Sequence, residues 1–157
     1  MAPHRLLRRE PPSTPMLDDL VNDLKREEGW RPYVYKDSEG YLTIGFGFLV
    51  DAGKGDGLPK HIGEQWLLYA ASTRWYALCS KITWILDKPE HVQRAVANLC
   101  YQCGVNGVLK FKKMLAALEA DDMETAEREA YDSQWARKFP RRAKLVINLM
   151  VGHESTD

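Results

Sequence analysis

The sequence contains no long apolar run, few cysteines and no excess of charge of either sign. No apolar stretch approaches the roughly 18 residues that a membrane-spanning helix needs, so we expect no stable membrane insertion. The three cysteines are odd in number and give no disulfide framework. Lys plus Arg equals Asp plus Glu at 22 each, so the net charge does not indicate a nucleic-acid partner. The chain of 157 residues can form a real core, and two lobes around a cleft.

The amino terminus, residues 1–15, is basic and proline-rich, and it lacks the continuous apolar segment of a signal peptide. We interpret it as a disordered extension. We therefore expect the protein to be made and kept in the cytoplasm.

Cys100 and Cys103 have the spacing of a redox or zinc half-site, but no second cysteine pair follows them. The surrounding pattern is helical and apolar, which favours small core residues. We expect no metal and no cofactor.

Charge is segregated along the second half of the chain. Residues 119–132 carry seven acidic side chains against one basic, whereas 137–144 carry five basic side chains and no acid. Two solvated helix faces are the simpler interpretation. A basic lip on a cleft that meets a polyanionic polymer is the alternative.

The first predicted helix spans residues 17–28. Its apolar residues recur at helical spacing, at Leu17, Leu20, Val21 and Leu24. Continuing this face by one turn predicts that Glu28 faces inward and Glu27 faces water, with Gly29 as the cap. A carboxylate at the negative end of a helix dipole is unfavourable when ionised, so this placement indicates a role in chemistry.

A hairpin is predicted next, with a strand at 33–35, a turn from Asp37 to Gly40 and a strand over 41–48. Alternation along the second strand places Thr43 on one face with Gly45 and Gly47. Glycines in a strand indicate close approach by a ligand or another backbone, so Thr43 is predicted to stand in open surroundings.

The remainder is predicted to be a loop over 51–63, a long helix from Glu64 to about Leu86, and further helices. These further helices are predicted at about 89–103, 107–119, 122–132 and 139–151, with breaks at Gly104, Gly107 and Pro140. The fold class is therefore α+β, predominantly helical. Four segments are expected: the extension 1–15, a helix and hairpin lobe at 16–63, an inter-lobe helix at 64–86 and a helical lobe at 87–157.

Glu28, Asp37 and Thr43 together predict a polysaccharide hydrolase. Cleaving a glycosidic bond needs a protonated acid for the leaving oxygen and a carboxylate on the other face of the sugar. Expected burial and the helix end both disfavour the charged form of Glu28, whereas an exposed turn keeps Asp37 ionised. Thr43 can hold a water beside Asp37. Taken singly, the three fit a structural ion pair, a turn aspartate and a strand threonine; together they favour chemistry.

The same segment resembles the catalytic segment of the bacteriophage lysozymes of the T-even type. The matching residues are Glu28-Gly29, Tyr35-Lys36-Asp37, Glu39-Gly40-Tyr41 and Thr43-Ile44-Gly45-x-Gly47. A second match, to the family's carboxy-terminal lobe, comprises Asn98-x3-Gln102-x-Gly104-x2-Gly107-x3-Phe111 and Trp135-x4-Pro140-x-Arg142-Ala143. The resemblance spans roughly residues 17 to 148 and implies a two-lobed lysozyme-like fold whose lobes are joined by a long helix.

The resemblance implies an inverting muramidase that hydrolyses the β-1,4 bond between N-acetylmuramic acid and N-acetylglucosamine. Glu28 would be the general acid, while Asp37 and Thr43 would position and activate water. Arg142 matches an arginine that pairs with the catalytic glutamate.

Five further positions match places that contact the saccharide in this family: Leu49, Tyr101, Gln102, Met114 and Glu129. A phenylalanine is more usual at Tyr101, and Met114 and Glu129 differ from the usual small or amide side chains. Phe48 stands where the family has a mainly structural histidine. The linker from the hairpin to the long helix is shorter than in the T-even type, which predicts a smaller amino-terminal lobe than in that type.

The resemblance also implies bacterial peptidoglycan as the partner, and we expect a monomer. The protein would act on the periplasmic wall from the host cytoplasm after membrane permeabilisation, through a pore such as a holin. A non-catalytic wall-binding or structural module and a phage tail-associated module remain open as alternatives. A transglycosylase also uses a glutamate, although Asp37 and Thr43 favour hydrolysis.

Overall fold

A computed structural model describes residues 15–153, and over this range the chain is α+β and predominantly helical, as predicted. The elements are α1 Pro15–Glu28, β1 Arg31–Lys36, β2 Leu42–Gly45, β3 Phe48–Leu49, α2 Lys60–Cys79, a 3-10 helix Thr83–Asp87, α3 Glu90–Leu109, α4 Lys112–Glu119, α5 Met123–Tyr131, α6 Gln134–Lys138 and α7 Pro140–Val151. The predicted extension 1–15 lies outside the described residues, apart from Pro15. None of the described helices combines the length and apolar character needed to cross a bilayer.

The chain divides into two compact units between Gln65 and Trp66, a boundary that lies within α2. We call residues 15–65 the amino-terminal unit and residues 66–153 the helical unit. Each is described by itself.

The amino-terminal unit contains α1 and a three-stranded antiparallel sheet in the order β1-β2-β3. The predicted continuous strand over 41–48 is wrong. Gly45 and Gly47 have φ angles of +70° and +77°, and the chain turns there before β3. Glycine reaches this left-handed region without a steric penalty, so the pair ends one strand and starts the next.

The predicted first helix is confirmed, but the predicted inward direction of Glu28 is wrong. Gly29 has φ +68° and its N–H donates to the carbonyl of Lys25 at 3.3 Å, which confirms the glycine cap. The apolar stripe of α1 is 37% to 47% exposed, and Glu28 is exposed as well. Helical periodicity identifies a face of a helix, but it does not establish that another element covers that face.

The helical unit holds a hydrophobic core to which every one of its described helices contributes. On α3 the buried residues are spaced for one helical face, at Val92, Ala95, Val96 and Leu99. α7 repeats this spacing at Ala143, Val146, Ile147 and Met150. These two stripes belong to helices that pack against each other, which is the arrangement that i, i+3, i+4, i+7 patterns favour.

The predicted helix over 64–86 differs at both ends from α2. Helix α2 begins at Lys60, directly after Pro59, and ends at Cys79. Ile82 then leaves helical geometry at φ −128° and ψ 71°, and a 3-10 helix follows. No glycine or proline lies between Gly63 and Leu86, so the sequence carries no signal for this break.

Three further boundaries test the predicted breaks in the helical unit. Gly104 has φ +74° and ψ 168° and interrupts α3 as predicted, whereas Gly107 lies within the same helix. α7 begins at Pro140. Helix α6 was not predicted, because its five residues are too few to show a period, although Ser133 caps it by accepting the N–H of Ala136 at 3.1 Å.

Candidate functional site

Asp37 opens the turn between β1 and β2 and organises it through its side chain. Its Oδ1 accepts the backbone N–H groups of Glu39 at 2.9 Å and Tyr41 at 2.8 Å. Gly40, at φ +89°, donates its N–H to the carbonyl of Asp37 at 3.0 Å. The predicted turn is confirmed. Among the described residues no hydrogen bond reaches Oδ2 of Asp37, so this oxygen has its acceptor capacity available for water.

Thr43 lies in the central strand β2, opposite Tyr35 of β1 and Leu49 of β3. It is 2% exposed, so the predicted open surroundings are wrong: a central strand is flanked on both sides. The Thr43 hydroxyl donates to the carbonyl of Tyr41 at 3.1 Å. This bond uses the hydroxyl proton, so the hydroxyl oxygen remains available to accept a hydrogen bond from water.

Tyr41 joins the two residues, and sequence reasoning gave it no role. Its carbonyl accepts both the Thr43 hydroxyl and the backbone N–H of Asp37, the latter at 2.9 Å. Its own N–H donates to Asp37 Oδ1. The structure therefore brings Asp37 and Thr43 to one carbonyl oxygen, at the start of β2.

Glu28 ends α1, and its carboxyl group lies against Gly47 in the turn between β2 and β3. A Cβ built on Gly47 would stand 2.8 Å from Glu28 Oε2 and 3.3 Å from Cδ. Gly47 therefore does mark a close approach, but the approaching group is the Glu28 side chain and not the predicted ligand or backbone. The separation between the carboxyl groups of Glu28 and Asp37 stays a prediction.

Gly45 makes a different close approach, to aromatic rings. A Cβ there would stand 2.9 Å from Phe48 and 3.3 Å from Trp30. The Trp30 ring in turn packs on Phe46, with centroids 5.0 Å apart. Phe48, in the family's histidine place, is thus a packing residue beside the glycine turn.

Lys54, in the loop that follows β3, contacts the Asp37 turn through its side chain. No role was predicted for it from the sequence. Its ammonium lies 4.2 Å from the centre of the Tyr41 ring and 3.0 Å from Glu39 Oε2. Asp51 holds this loop by accepting the N–H of Gly53 at 3.0 Å. Asp51-x-Gly53 is an Asx-turn signature that could have predicted the loop's shape.

Two of the predicted saccharide contacts, Met114 and Glu129, line one groove of about 520 Å³ in the helical unit. Met114 is 2% exposed and belongs to the core beneath the groove, whereas Glu129 is half-buried. The groove is also lined by Lys110, Lys112, Lys113, Phe111, Asp132 and Trp135. It therefore offers both charge signs beside an apolar floor.

Gln102 is connected to this groove through Trp135. The indole Nε1–H donates to Gln102 Oε1 at 2.9 Å, and the indole meets the Phe111 ring edge-on at 6.3 Å between centroids. Trp135 is 8% exposed and Gln102 is half-buried, so this bond holds the Gln102 amide oxygen against a buried ring. Since Oε1 accepts this bond, the amide NH₂ is the part of Gln102 that can donate to a ligand.

The remaining predicted residues lie elsewhere. Leu49 is half-buried in β3, in the amino-terminal unit, beside Thr43. Tyr101 is 40% exposed on α3 and stacks under the guanidinium of Arg74 at 5.0 Å. Arg142 donates to Asn98 Oδ1 at 2.8 Å. Its predicted pairing with Glu28 stays a prediction.

The cysteines are small packing residues, as predicted. Cys79 and Cys100 are buried, and Cys103 packs against the core. Burial raises the pKa of the Cys100 thiol, partly offset by the charge of Arg74. Burial likewise raises the pKa of Cys103, with Arg142 opposing it. Thiols held in the protonated form are weak nucleophiles and weak metal ligands.

Known proteins are similar to this chain over most of its length. A family model described as phage lysozyme matches residues 25–147. The chain is 28% identical to probable T4-type lysozyme 1 of Dictyostelium discoideum, over 86% of this chain and 95% of that protein. It is 28% identical to probable T4-type lysozyme 2 of the same organism, over 85% and 94%. It is also 30% identical to the pre-baseplate central spike protein Gp5 of Enterobacteria phage T4, over 84% of this chain and 27% of that protein.

The family match begins before Glu28 and ends within α7, so it covers Asp37, Thr43 and the groove in one continuous stretch. A small antiparallel sheet followed by a helical cluster is also the fold that the resemblance implied. This chain belongs to the phage lysozyme family.

Proposed function

We propose that the protein is a muramidase that hydrolyses the β-1,4 bond between N-acetylmuramic acid and N-acetylglucosamine in bacterial peptidoglycan. Glu28 protonates the leaving oxygen. Asp37 and Thr43 hold and activate a water on the opposite face of the sugar, so that the anomeric configuration inverts. The observation that carries this proposal is the convergence of Asp37 and Thr43 on the Tyr41 carbonyl, in a chain that keeps Glu28.

The hydrogen bonds of Asp37 fit the role of a base. Two backbone N–H groups donate to Oδ1, so the carboxylate cannot rotate freely. The other oxygen accepts a proton from water. The Thr43 hydroxyl orients the same water as an acceptor, because its own proton is engaged by Tyr41.

Glu28 fits the role of the acid. It is the last residue of α1, directly before the segment that leads into β1. Its carboxyl group packs against Gly47, and this contact limits the positions that the carboxyl group can take. A general acid placed in this way accelerates bond cleavage by roughly 10² to 10⁴.

The sugar chain would be bound by Leu49, Tyr101, Gln102, Met114 and Glu129. Tyr101 supplies an exposed ring for a sugar face, and the Gln102 amide supplies a donor. Met114 shapes the groove floor, while the Glu129 carboxyl group at its side accepts hydrogen bonds from sugar hydroxyls.

We further propose that this activity serves lysis of a bacterial host. The protein would accumulate in the host cytoplasm as a monomer without a cofactor. It would reach the wall through a holin pore.

A wall-degrading module of a phage tail is the second candidate. The similarity to the central spike protein favours it, since the match occupies 27% of that protein and so corresponds to one part of a longer chain. Free lysis enzyme and tail module share the same chemistry and differ in delivery.

Digestion of purified peptidoglycan, followed by mass spectrometry of the soluble fragments, tests the proposed reaction. We expect fragments that end in reducing N-acetylmuramic acid. Anhydro-muramic ends would instead identify a transglycosylase. Binding to peptidoglycan without any fragments would identify a non-catalytic module, with Glu28→Gln as the matched inactive control.

A further inference from the structure

Gly47 touches Glu28 more closely than any ordinary residue could. The Cβ of a substituted residue would stand 2.8 Å from Oε2, 3.3 Å from Cδ and 3.8 Å from Cγ of Glu28. Real Cβ atoms do not approach other heavy atoms to below 3.0 Å, so one group would have to move. The carboxyl group is the end of a flexible side chain, whereas Gly47 is backbone in a turn. The carboxyl group would therefore be displaced.

We propose that Gly47 is a positioning residue for the Glu28 carboxyl group, which occupies the space that a Cβ would otherwise fill. This inference rests on the proposed function, because it concerns the acid of that reaction. It adds a residue to the site that no hydrogen bond or charge would have indicated.

Backbone strain must be separated from this contact. Gly47 has φ +77°, so any substitution there is strained whatever it touches. Gly57 provides the matched control: it has φ +71°, lies in the same unit, and would bring its Cβ within 4 Å of nothing. Gly57→Ala therefore carries the backbone strain alone, and Gly47→Ala carries the strain together with the displaced carboxyl group.

The steady-state test compares these two variants on soluble, uncrosslinked peptidoglycan strands. For Gly47→Ala we expect kcat to fall roughly 100-fold, because a small misplacement of a reacting group has an effect of this order. KM should stay within about twofold, since ground-state binding is unchanged. Gly57→Ala should keep kcat and KM within about twofold of the native values. The melting temperatures of the two variants should fall by similar amounts. A kcat for Gly47→Ala that matches that of Gly57→Ala would overturn the proposal.

Asparagine variants cover the case in which an alanine variant does not fold. Asparagine tolerates the left-handed region better than alanine does, and its Cβ takes the same place. Gly47→Asn and Gly57→Asn should therefore repeat the contrast in kcat.

A second measurement separates failure of this inference from failure of the proposed function. Glutamate labelled with ¹³C at Cδ gives a carboxyl signal for Glu28, assigned by its loss in Glu28→Gln. Gly47→Ala should shift this signal and Gly57→Ala should leave it in place, whether or not the protein cleaves peptidoglycan. If Gly47→Ala leaves the Glu28 carboxyl signal in place, the positioning role is contradicted. If Gly47→Ala moves that signal but the native protein does not cleave peptidoglycan, the proposed reaction is contradicted.

Discussion

The two units of the molecule differ in what holds them together. In the helical unit, helices from α2 onward bury a shared apolar core that includes Leu78, Leu118 and Ile147. In the amino-terminal unit, among residues 15–65, only Thr43 and Gly45 are buried. Its order comes from turn hydrogen bonds, such as those of Asp37, and from glycines at positive φ. The proposed acid and base therefore lie in the unit with little buried apolar area.

This contrast suggests a division of labour between the units. Segments with few buried apolar contacts open at low free energy, and catalytic elements are often drawn from such segments. The groove in the helical unit, by contrast, rests on core residues such as Met114. We therefore expect substitutions in the amino-terminal unit to reduce activity most. Substitutions in the helical unit should reduce stability most.

Glu28→Gln should have the largest effect, and it should act on activity alone. We expect loss of roughly 10² to 10⁴ in the rate of peptidoglycan cleavage, because the leaving oxygen loses its proton donor. The melting temperature should be unchanged, since Glu28 is exposed and glutamine has nearly the same size and shape. Fragment release and thermal unfolding check both parts. Glu27→Gln is the neighbouring control and should change neither quantity.

Leu118→Ala should have the next largest effect, and it should act on stability. Leu118 is 0% exposed, so the variant should lose about 2–5 kcal/mol of unfolding free energy through lost burial and a cavity. Leu24, in the exposed stripe of α1, is 41% exposed, and Leu24→Ala should lose less than about 1 kcal/mol. Urea unfolding of both proteins gives the comparison. Equal losses would contradict the difference between the units.

Replacement of Asp37 should separate its two roles. Asp37→Asn keeps an acceptor oxygen for the N–H groups of Glu39 and Tyr41, so it should remain folded while cleavage is lost. Asp37→Ala removes both bonds, and its free energy of unfolding should be lower by a further amount of about 1–3 kcal/mol. Denaturant unfolding and fragment release measure the two effects. If the Asp37→Asn protein is active, Asp37 does not act as the base of the reaction.

Trp135→Phe should have the smallest effect of the four. It leaves Gln102 Oε1 without its donor and should cost about 1 kcal/mol. Trp66 is 56% exposed, and Trp66→Phe should cost less than about 0.5 kcal/mol. Calorimetry can resolve this difference. If the Trp135 variant is no less stable than the Trp66 variant, the indole bond does not fix the Gln102 amide.

The sequence was most informative where local chemistry decides the conformation. The Asp37–Gly40 turn, the helix cap at Gly29 and the break at Gly104 follow from side-chain acceptors and from positive φ angles, which few residue types provide. The stripes on α3 and α7 likewise follow from spacing alone.

Tertiary features were not visible in the same way. The stripe on α1 has helical spacing but stays exposed, and the buried setting of Thr43 depends on β3, which was not predicted. The end of α2 carries no breaking residue. The glycine pattern predicted a close approach at Gly47, but no local pattern could have named Glu28 as its partner, because the two residues lie in elements distant in sequence.

The anomeric configuration of the first product is the most direct test of the central claim that Glu28 and Asp37 act on opposite faces of one sugar. Proton NMR of soluble peptidoglycan strands during the first minutes of digestion can resolve the two anomers before they equilibrate. We predict that the α-anomer of the new reducing end appears first from the β-linked substrate. Initial release of the β-anomer would contradict a water held by Asp37 and Thr43 opposite the acid.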